Sequence, residues 1–121
     1  MENRFQVPET DRCHIFSMED PKEAYEATGH ADIVQRWPDL YDFDDGCRNL
    51  CCCKTCGRYF LAQYSEYHGF DDDSFYADYY PVSGPDMAQE LAAFSPLGLE
   101  STFSGKWLSK TNSKIYWREN I

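Results

Sequence analysis

Two stretches in the first half of the chain carry the residues and apolar spacing of short helices. Residues 20–23 (Asp-Pro-Lys-Glu) form a helix start, with Asp at the N-cap, Pro at the first position and Glu three residues after the cap, and Gly29 is a natural stop. Over 30–37, an Ile-Val pair and a Trp share one helical face, and Pro38 would end that helix. We therefore predict two N-terminal helices, followed by an acidic loop over 39–46.

The middle of the chain has the composition of paired strands. Residues 58–67 are rich in aromatic side chains, as is 74–82, and both stretches favour extended structure. The intervening 69–73 contains Gly and three consecutive Asp residues, which are typical of a turn. This order predicts an antiparallel hairpin with a long connection.

One further helix and two closing strands are predicted after the hairpin. Residues 86–94 follow a Ser-Gly-Pro capping sequence and carry apolar residues at helical spacing, until Ser-Pro-Leu-Gly at 95–98 interrupts them. Residues 102–108 and 114–117 are predicted strands, joined by a Thr-Asn-Ser turn at 111–113. The order of elements predicts an α+β fold with N-terminal helices, a central antiparallel sheet and one later helix.

Length and aromatic content fit one folded domain. The 121 residues are predicted to form a single domain over 1–121, because a second core would have too few residues. Aromatic residues make up 17% of the chain, so tyrosine, phenylalanine and tryptophan must build much of the core.

The charge distribution narrows the classes of partner. The formal net charge is -10, and residues 59–104 contain eight acidic residues and no Lys or Arg. Direct binding to nucleic acid depends on Lys and Arg neutralising phosphates, so we expect none, whereas a cationic protein partner suits this charge. There is no signal-peptide-like run and no membrane-spanning stretch, so we expect a cytoplasmic protein with no membrane contact and with reduced cysteines.

The C-x-x-C-G motif at 53–57 is the most specific chemical signal. Cys53 and Cys56 can direct both sulfurs at one tetrahedral ion, and Gly57 permits the positive φ that such a turn often requires. We therefore predict a structural zinc site built on this motif, residues 53–57, which we call the knuckle. Only half of a four-ligand set is present in the motif, so two ligands must come from elsewhere.

Cys13 is the predicted third zinc ligand. It comes from the start of the sequence and would close the longest loop, which a small domain benefits from most. For the fourth ligand the sequence leaves His14 and Cys47 level. The alternatives are that the cysteines pack as small apolar groups, or that Cys53 and Cys56 perform redox or metal-dependent catalysis with His68 as a base.

The base-free middle region is the predicted partner-binding surface. We expect its acidic residues to steer a basic protein and its tyrosines to anchor it. The predicted steering residues are Glu66, Asp71, Asp72, Asp73 and Asp78, and the predicted anchors are Tyr76 and Tyr79.

A resemblance to a known class of proteins is carried by residues 50–82. The motifs are CKTCGRYF at 53–60, YSE at 64–66 and YYPV at 79–82. In these features the chain resembles small acidic bacterial proteins that act as immunity proteins of polymorphic or contact-dependent toxin systems. The resemblance implies a cytoplasmic antidote that binds one toxin domain, often a nuclease, and occludes its active site without catalysis. An acidic DNA mimic and a C-x-x-C enzyme remain alternatives.

Overall fold

The sheet is built from six strands, each lying beside its neighbour in sequence. The computed structural model describes residues 6–37, 46–68 and 73–120. Within them the antiparallel strands follow the order β1-β2-β3-β4-β5-β6. The strands are β1 (Ala31–Trp37), β2 (Gly46–Cys53), β3 (Tyr59–His68), β4 (Asp73–Val82), β5 (Gly105–Thr111) and β6 (Lys114–Asn120). The helices are α1 (Pro21–Ala27), α2 (Pro85–Leu91) and α3 (Pro96–Thr102), and single 3-10 turns occupy Glu9–Asp11 and His14–Ser17. The α+β class is confirmed, with more sheet and less helix than predicted.

Both predicted strand pairs are present. β3 and β4 pair along their whole length, from Tyr59 opposite Val82 to His68 opposite Asp73. Of the predicted turn at 69–73, residues 69–72 lie outside the described part of the chain. β5 and β6 pair around Asn112, whose φ of 55° suits a tight turn and whose side-chain oxygen accepts a hydrogen bond from the Phe75 backbone N–H at 3.0 Å. β5 begins at Gly105 rather than at residue 102, because that residue ends α3.

The predicted helix over 30–37 is wrong, because this segment forms the edge strand β1. Its backbone pairs with β2, with an irregularity in the register between Ile33 and Gln35. Ile33 and Val34 are 44% and 53% exposed, so the apolar residues at helical spacing bury no common face. β-branched side chains favour strands, in agreement with the observed structure. Most of the predicted acidic loop, residues 39–45, lies outside the described residues, and Gly46 already belongs to β2.

The helix starts follow their capping residues. The Asp20 carboxylate accepts a hydrogen bond from the Lys22 N–H at 3.0 Å, which confirms the predicted start of α1. The predicted helix over 86–94 ends at Leu91, and the Ser-Pro-Leu-Gly sequence begins α3 instead of only interrupting a helix. The Ser95 hydroxyl caps α3 by accepting a hydrogen bond from Gly98 N–H at 2.9 Å. In the described residues no helix is both long and apolar enough to cross a membrane.

Helices cover both faces of the sheet, and each face has its own apolar cluster. We call the face that packs against α2 and α3 the first face; its strand residues are Leu50, Leu61, Tyr80, Val82 and Trp107. The second face packs against α1 and the His14–Ser17 turn; its strand residues are Cys51, Cys53, Phe60, Ala62, Ala77, Tyr79 and Leu108. Successive strand residues alternate between the two clusters, as the pleat requires.

A row of polar residues crosses the first face. Arg48, Gln63, Asp78 and Ser109 occupy paired positions on β2, β3, β4 and β5. Arg48 is 0% exposed and reaches α2, where it donates hydrogen bonds to the carbonyl oxygens of Leu91, Ala92 and Phe94. The cation thus donates to backbone carbonyls at and just beyond the C-terminal end of α2, where the helix dipole favours positive charge.

Candidate metal centre

Three elements bring together the residues of the candidate site. Cys13 and His14 stand at the start of the His14–Ser17 turn, Cys53 ends β2, and Cys56 lies in the connection to β3. That connection is closed by hydrogen bonds from Cys53 N–H to the Arg58 carbonyl at 2.8 Å and from Gly57 N–H to the Cys53 carbonyl at 2.9 Å. Gly57 has a φ of 75°, which confirms the expected positive φ after the knuckle.

Apolar contacts hold Cys13 against the knuckle. Ile15 and Phe16 are 0% and 3% exposed, so the short turn is docked into the core of the second face. The ring of Phe16 lies 6.4 Å from that of Phe60 and 6.3 Å from that of Trp117, between centroids. The N-terminal segment is thereby fixed on the second face against β3 and β6, with its cysteine next to the end of β2.

The spacing of the donor atoms fits a tetrahedral ion. One donor atom each of Cys13, His14, Cys53 and Cys56 lies within 4.8 Å of all the others. His14 Nδ1 is 3.8 Å from both Cys13 Sγ and Cys53 Sγ, and Cys56 Sγ is 3.5 Å from Cys13 Sγ. Zn–S and Zn–N bond lengths give tetrahedral edges of about 3.8 Å between sulfurs and about 3.6 Å between sulfur and nitrogen. These four residues can therefore hold a metal ion.

The donors differ in exposure and in acidity. Cys13 and Cys53 are 0% and 2% exposed, whereas Cys56 faces solvent and His14 is half-buried. Burial raises the pKa of the Cys13 thiol far above its ordinary value. For Cys56, burial alone would raise the pKa, but hydrogen bonds with His14, with the Arg58 backbone and with Cys13 together lower it to about 6. A thiolate is thus available at neutral pH to begin metal binding.

The structure brings the three predicted ligands together and adds one of the two candidates for the fourth. His14 belongs to the cluster. Cys47 does not, because six strand positions separate it from Cys53 on β2, or about 20 Å at the usual rise per residue. The sequence signal for His14 is only its position beside Cys13, which does not by itself distinguish it from Cys47.

The remaining cysteines and His68 lie elsewhere. Cys51 is 6% exposed in the core of the second face, and burial raises the pKa of its thiol to about 11, as suits an apolar packing role. Cys52 Sγ lies 3.6 Å from the Gly57 carbonyl oxygen. His68 ends β3, about 30 Å along the strand from Tyr59 beside the knuckle, so a combination of His68 with the C-x-x-C thiols is wrong.

In the predicted partner-binding surface, one residue is buried in the core and a second is half-buried and hydrogen-bonded. Tyr79 is 4% exposed and packs by its edge against Phe60, with ring centroids 6.2 Å apart, so its prediction as an anchor is wrong. Asp78 belongs to the polar row of the first face and accepts a hydrogen bond from the Ser109 hydroxyl at 2.5 Å. Asp78 is half-buried, and burial raises the pKa of its carboxyl, so it is not the freely exposed charge that the steering role requires.

The other predicted surface residues have mixed positions. Tyr76 is 39% exposed, and Glu66 is half-buried. Asp71 and Asp72 lie outside the described residues, and Asp73 is placed only by its backbone, as the first residue of β4. Within the described part of the chain, two exposed aromatic residues are not among the predicted anchors, namely Tyr64 at 39% and Phe75 at 48%. Both stand in the base-free, aromatic-rich stretch, but sequence alone did not show which of its rings face outward.

Comparisons with known proteins give no match. No family model, no curated protein sequence and no solved structure matches this chain. Functional conclusions therefore depend on the residues of the chain and on their geometry.

Proposed function

We propose that this protein is a zinc-stabilised binding protein, in which Cys13, His14, Cys53 and Cys56 hold one structural Zn²⁺. The supporting observation is the convergence of three thiols and one imidazole within 4.8 Å from two distant parts of the sequence. Zinc favours tetrahedral sets of sulfur and nitrogen donors, and sites with three cysteines and one histidine are a common structural type.

The donor set favours a structural over a catalytic role. A catalytic zinc keeps a coordination position open for water or substrate, whereas four protein donors fill the tetrahedron. Two of the sulfurs are also buried, at 0% and 2% exposure. An ion here would join the segment around Cys13 to the β2–β3 connection across 43 residues of sequence. We infer from this a cross-link that holds the fold, and no enzymatic activity.

Metal analysis of the purified protein tests the zinc proposal. We expect about one zinc per chain in the wild type and in Cys47→Ala, and much less in Cys13→Ala, because only the latter loses a donor of the proposed tetrahedral set. Removal of the ion by a chelator should lower the thermal midpoint, since a ligand bound only by the folded state stabilises it. A metal-free wild type, or equal zinc loss in both variants, would contradict the proposal.

We infer further that the partner is a basic protein. The net charge of -10 and the lack of Lys and Arg over 59–104 support electrostatic attraction to such a partner. Tyr64 pairs with Ala77 and Glu66 with Phe75, so Tyr64 and Phe75 are diagonal neighbours on the second face. Tyr79 supports Tyr64 from the core, with ring centroids 6.1 Å apart. Exposed aromatic residues that are held in place by packing against the core suit the role of anchors in a protein interface.

The resemblance to immunity proteins makes the partner a cognate toxin, such as a nuclease with a basic active site. In this proposal the protein occludes that site in the cytoplasm. The test is co-expression with the toxin domain encoded by a neighbouring gene, followed by a growth assay and a binding titration.

Variants distinguish the contribution of the exposed aromatic residues from that of the acidic side chains. Truncating Phe75 to Ala should weaken binding by about tenfold or more, as loss of an interface anchor does. The matched control is Ile33→Ala, which truncates an exposed apolar residue of the edge strand. Reversal of Asp71, Asp72 and Asp73 to Lys should chiefly slow association and reduce its salt dependence. Unchanged affinity, rate and protection in all these variants would exclude this surface.

A further inference from the structure

The cluster contains one sulfur that solvent reagents can reach. Cys13 and Cys53 are almost completely buried, whereas Cys56 is exposed. Thiol oxidation follows the accessibility of the sulfur as well as its thiolate character. A small oxidant that approaches this cluster therefore meets Cys56 first.

Cys13 places its sulfur in contact with that of Cys56, and the geometry around them favours a bond between the two. Their Sγ atoms are 3.5 Å apart, compared with about 2.05 Å in a disulfide. Cys56 lies in a turn, and a side chain built on the adjacent Gly57 would meet no atom within 4 Å, so there is room for the turn to shift. Cys53, in contrast, is held in β2 by its backbone hydrogen bonds to the Arg58 and Gly57 backbone.

We propose that Cys56 is the site at which hydrogen peroxide oxidises this centre, and that the product is a Cys13–Cys56 disulfide that expels the metal. This inference rests on the zinc site proposed above. The Cys56 sulfur attacks one peroxide oxygen, the O–O bond breaks, and a sulfenic acid and water form. The Cys13 sulfur then attacks the sulfenic sulfur, the S–S bond forms, and the oxygen leaves as a second water after protonation. The two sulfurs supply the two electrons that reduce the peroxide.

Loss of the ion follows from the loss of its donors. Thiolates bind zinc, whereas disulfide sulfurs carry no charge and bind it poorly. Two of the four donors, Cys53 and His14, would remain, which is too few for a closed structural site. Reduction of the disulfide by a dithiol would restore the full set, so the release is reversible.

The test treats the zinc-loaded wild-type protein with hydrogen peroxide while a zinc-sensitive dye records release. Trypsin then separates Cys13 and Cys56 from the other cysteines, because cleavage after Arg and Lys leaves Cys13 in peptide 13–22, Cys51, Cys52 and Cys53 together in 49–54, and Cys56 in 55–58. We expect zinc release in proportion to a disulfide between peptides 13–22 and 55–58, and recovery with dithiothreitol. A disulfide between 49–54 and 55–58, or release without any disulfide, would overturn the proposal.

Variants and metal content distinguish the two proposals. The double variant Cys47→Ser and Cys52→Ser removes two thiols outside the cluster and should release zinc at the wild-type rate. Replacement of Cys56 by His keeps a zinc donor without the oxidisable sulfur and should slow release by about tenfold or more. Zinc that stays bound during peroxide treatment contradicts this inference alone, whereas a protein purified without zinc contradicts the proposed function. In that case, the peptide map of the peroxide-treated protein still tests the pairing of Cys13 with Cys56.

Discussion

Replacement of Arg48 by Met removes a buried cation that joins β2 to β3 and to the end of α2. The guanidinium Nε and Nη2 donate to Gln63 Oε1 at 2.8 and 2.6 Å. Nη1 donates to the carbonyl oxygens of Leu91, Ala92 and Phe94 at 3.3, 3.0 and 2.7 Å. Methionine fills much of the same space, so the substitution tests these polar contacts more than it tests packing volume.

The expected loss of stability is smaller than the sum of the individual bonds. Each hydrogen bond to a charged group contributes about 1.5–3 kcal/mol net, but the variant also avoids the cost of burying a cation. A buried acceptor left without a donor costs about 1–3 kcal/mol, and Arg48→Met leaves Gln63 Oε1 and carbonyls at the end of α2 in that position, so the loss should be about 3–5 kcal/mol. We expect a decrease of this size in the free energy of unfolding. It would be a large part of the roughly 5–15 kcal/mol available to a domain.

Urea denaturation of both proteins measures this difference. The matched control is Arg36→Met on β1, where the arginine is exposed and the change should stay within about 0.5 kcal/mol. Adding Gln63→Leu to Arg48→Met should recover part of the loss, since the orphaned amide oxygen is removed as well. If Arg48→Met is no more destabilising than Arg36→Met, the reasoning about the buried row is refuted.

Three further predictions concern the knuckle, the pH dependence of metal binding and the polar row. Gly57→Ala should lose about 1–2 kcal/mol of stability, because the residue has a φ of 75°, a conformation that a Cβ atom disfavours. The control Gly84→Ala, at a position with extended backbone, should lose less, and thermal unfolding compares the two variants. The number of protons released on zinc binding should rise as the pH falls through about 6, because Cys56 then becomes protonated; a pH-independent proton count in calorimetry would contradict this. Asp78→Asn should be more stable than the wild type near pH 7, because the folded-state pKa of Asp78 is raised and its stabilising contribution is lost as pH rises through that pKa. The advantage should shrink in acid, and an advantage that grows in acid would contradict the sign; Ser109 retains an acceptor in the amide oxygen.

Elements marked by local sequence signals can be predicted, whereas elements that depend on pairing between distant segments cannot. The cap at Asp20 and the β3–β4 hairpin were predictable because their signals lie within a few residues of each other. β1 was mistaken for a helix because an edge strand exposed on both sides shows no alternation of apolar and polar residues. β2 was not predicted as a strand, since it is buried on both faces and four of its eight residues are cysteines that also suggested metal binding.

The residues of the candidate metal site were likewise predictable only in part. The C-x-x-C spacing indicates Cys53 and Cys56 as metal ligands. Cys13 is predicted because a ligand from the start of the chain closes a long loop, which stabilises a small domain. The choice between His14 and Cys47 requires knowledge that β2 carries Cys47 away from the turn, which is a consequence of strand register. The buried position of Arg48 was equally hidden, because its backbone acceptors at the end of α2 lie more than 40 residues away in sequence.

The docking of the N-terminal segment on β6 has a consequence for the order in which the chain folds during translation. Phe16 packs against Trp117, and the Trp117 indole N–H donates to the Glu19 carbonyl oxygen, 98 residues away in sequence. Translation at the usual speed needs about 5 to 20 s to cover that distance. The segment that carries Phe16 and Glu19 therefore cannot complete its docking on the sheet until the last strand has been synthesised.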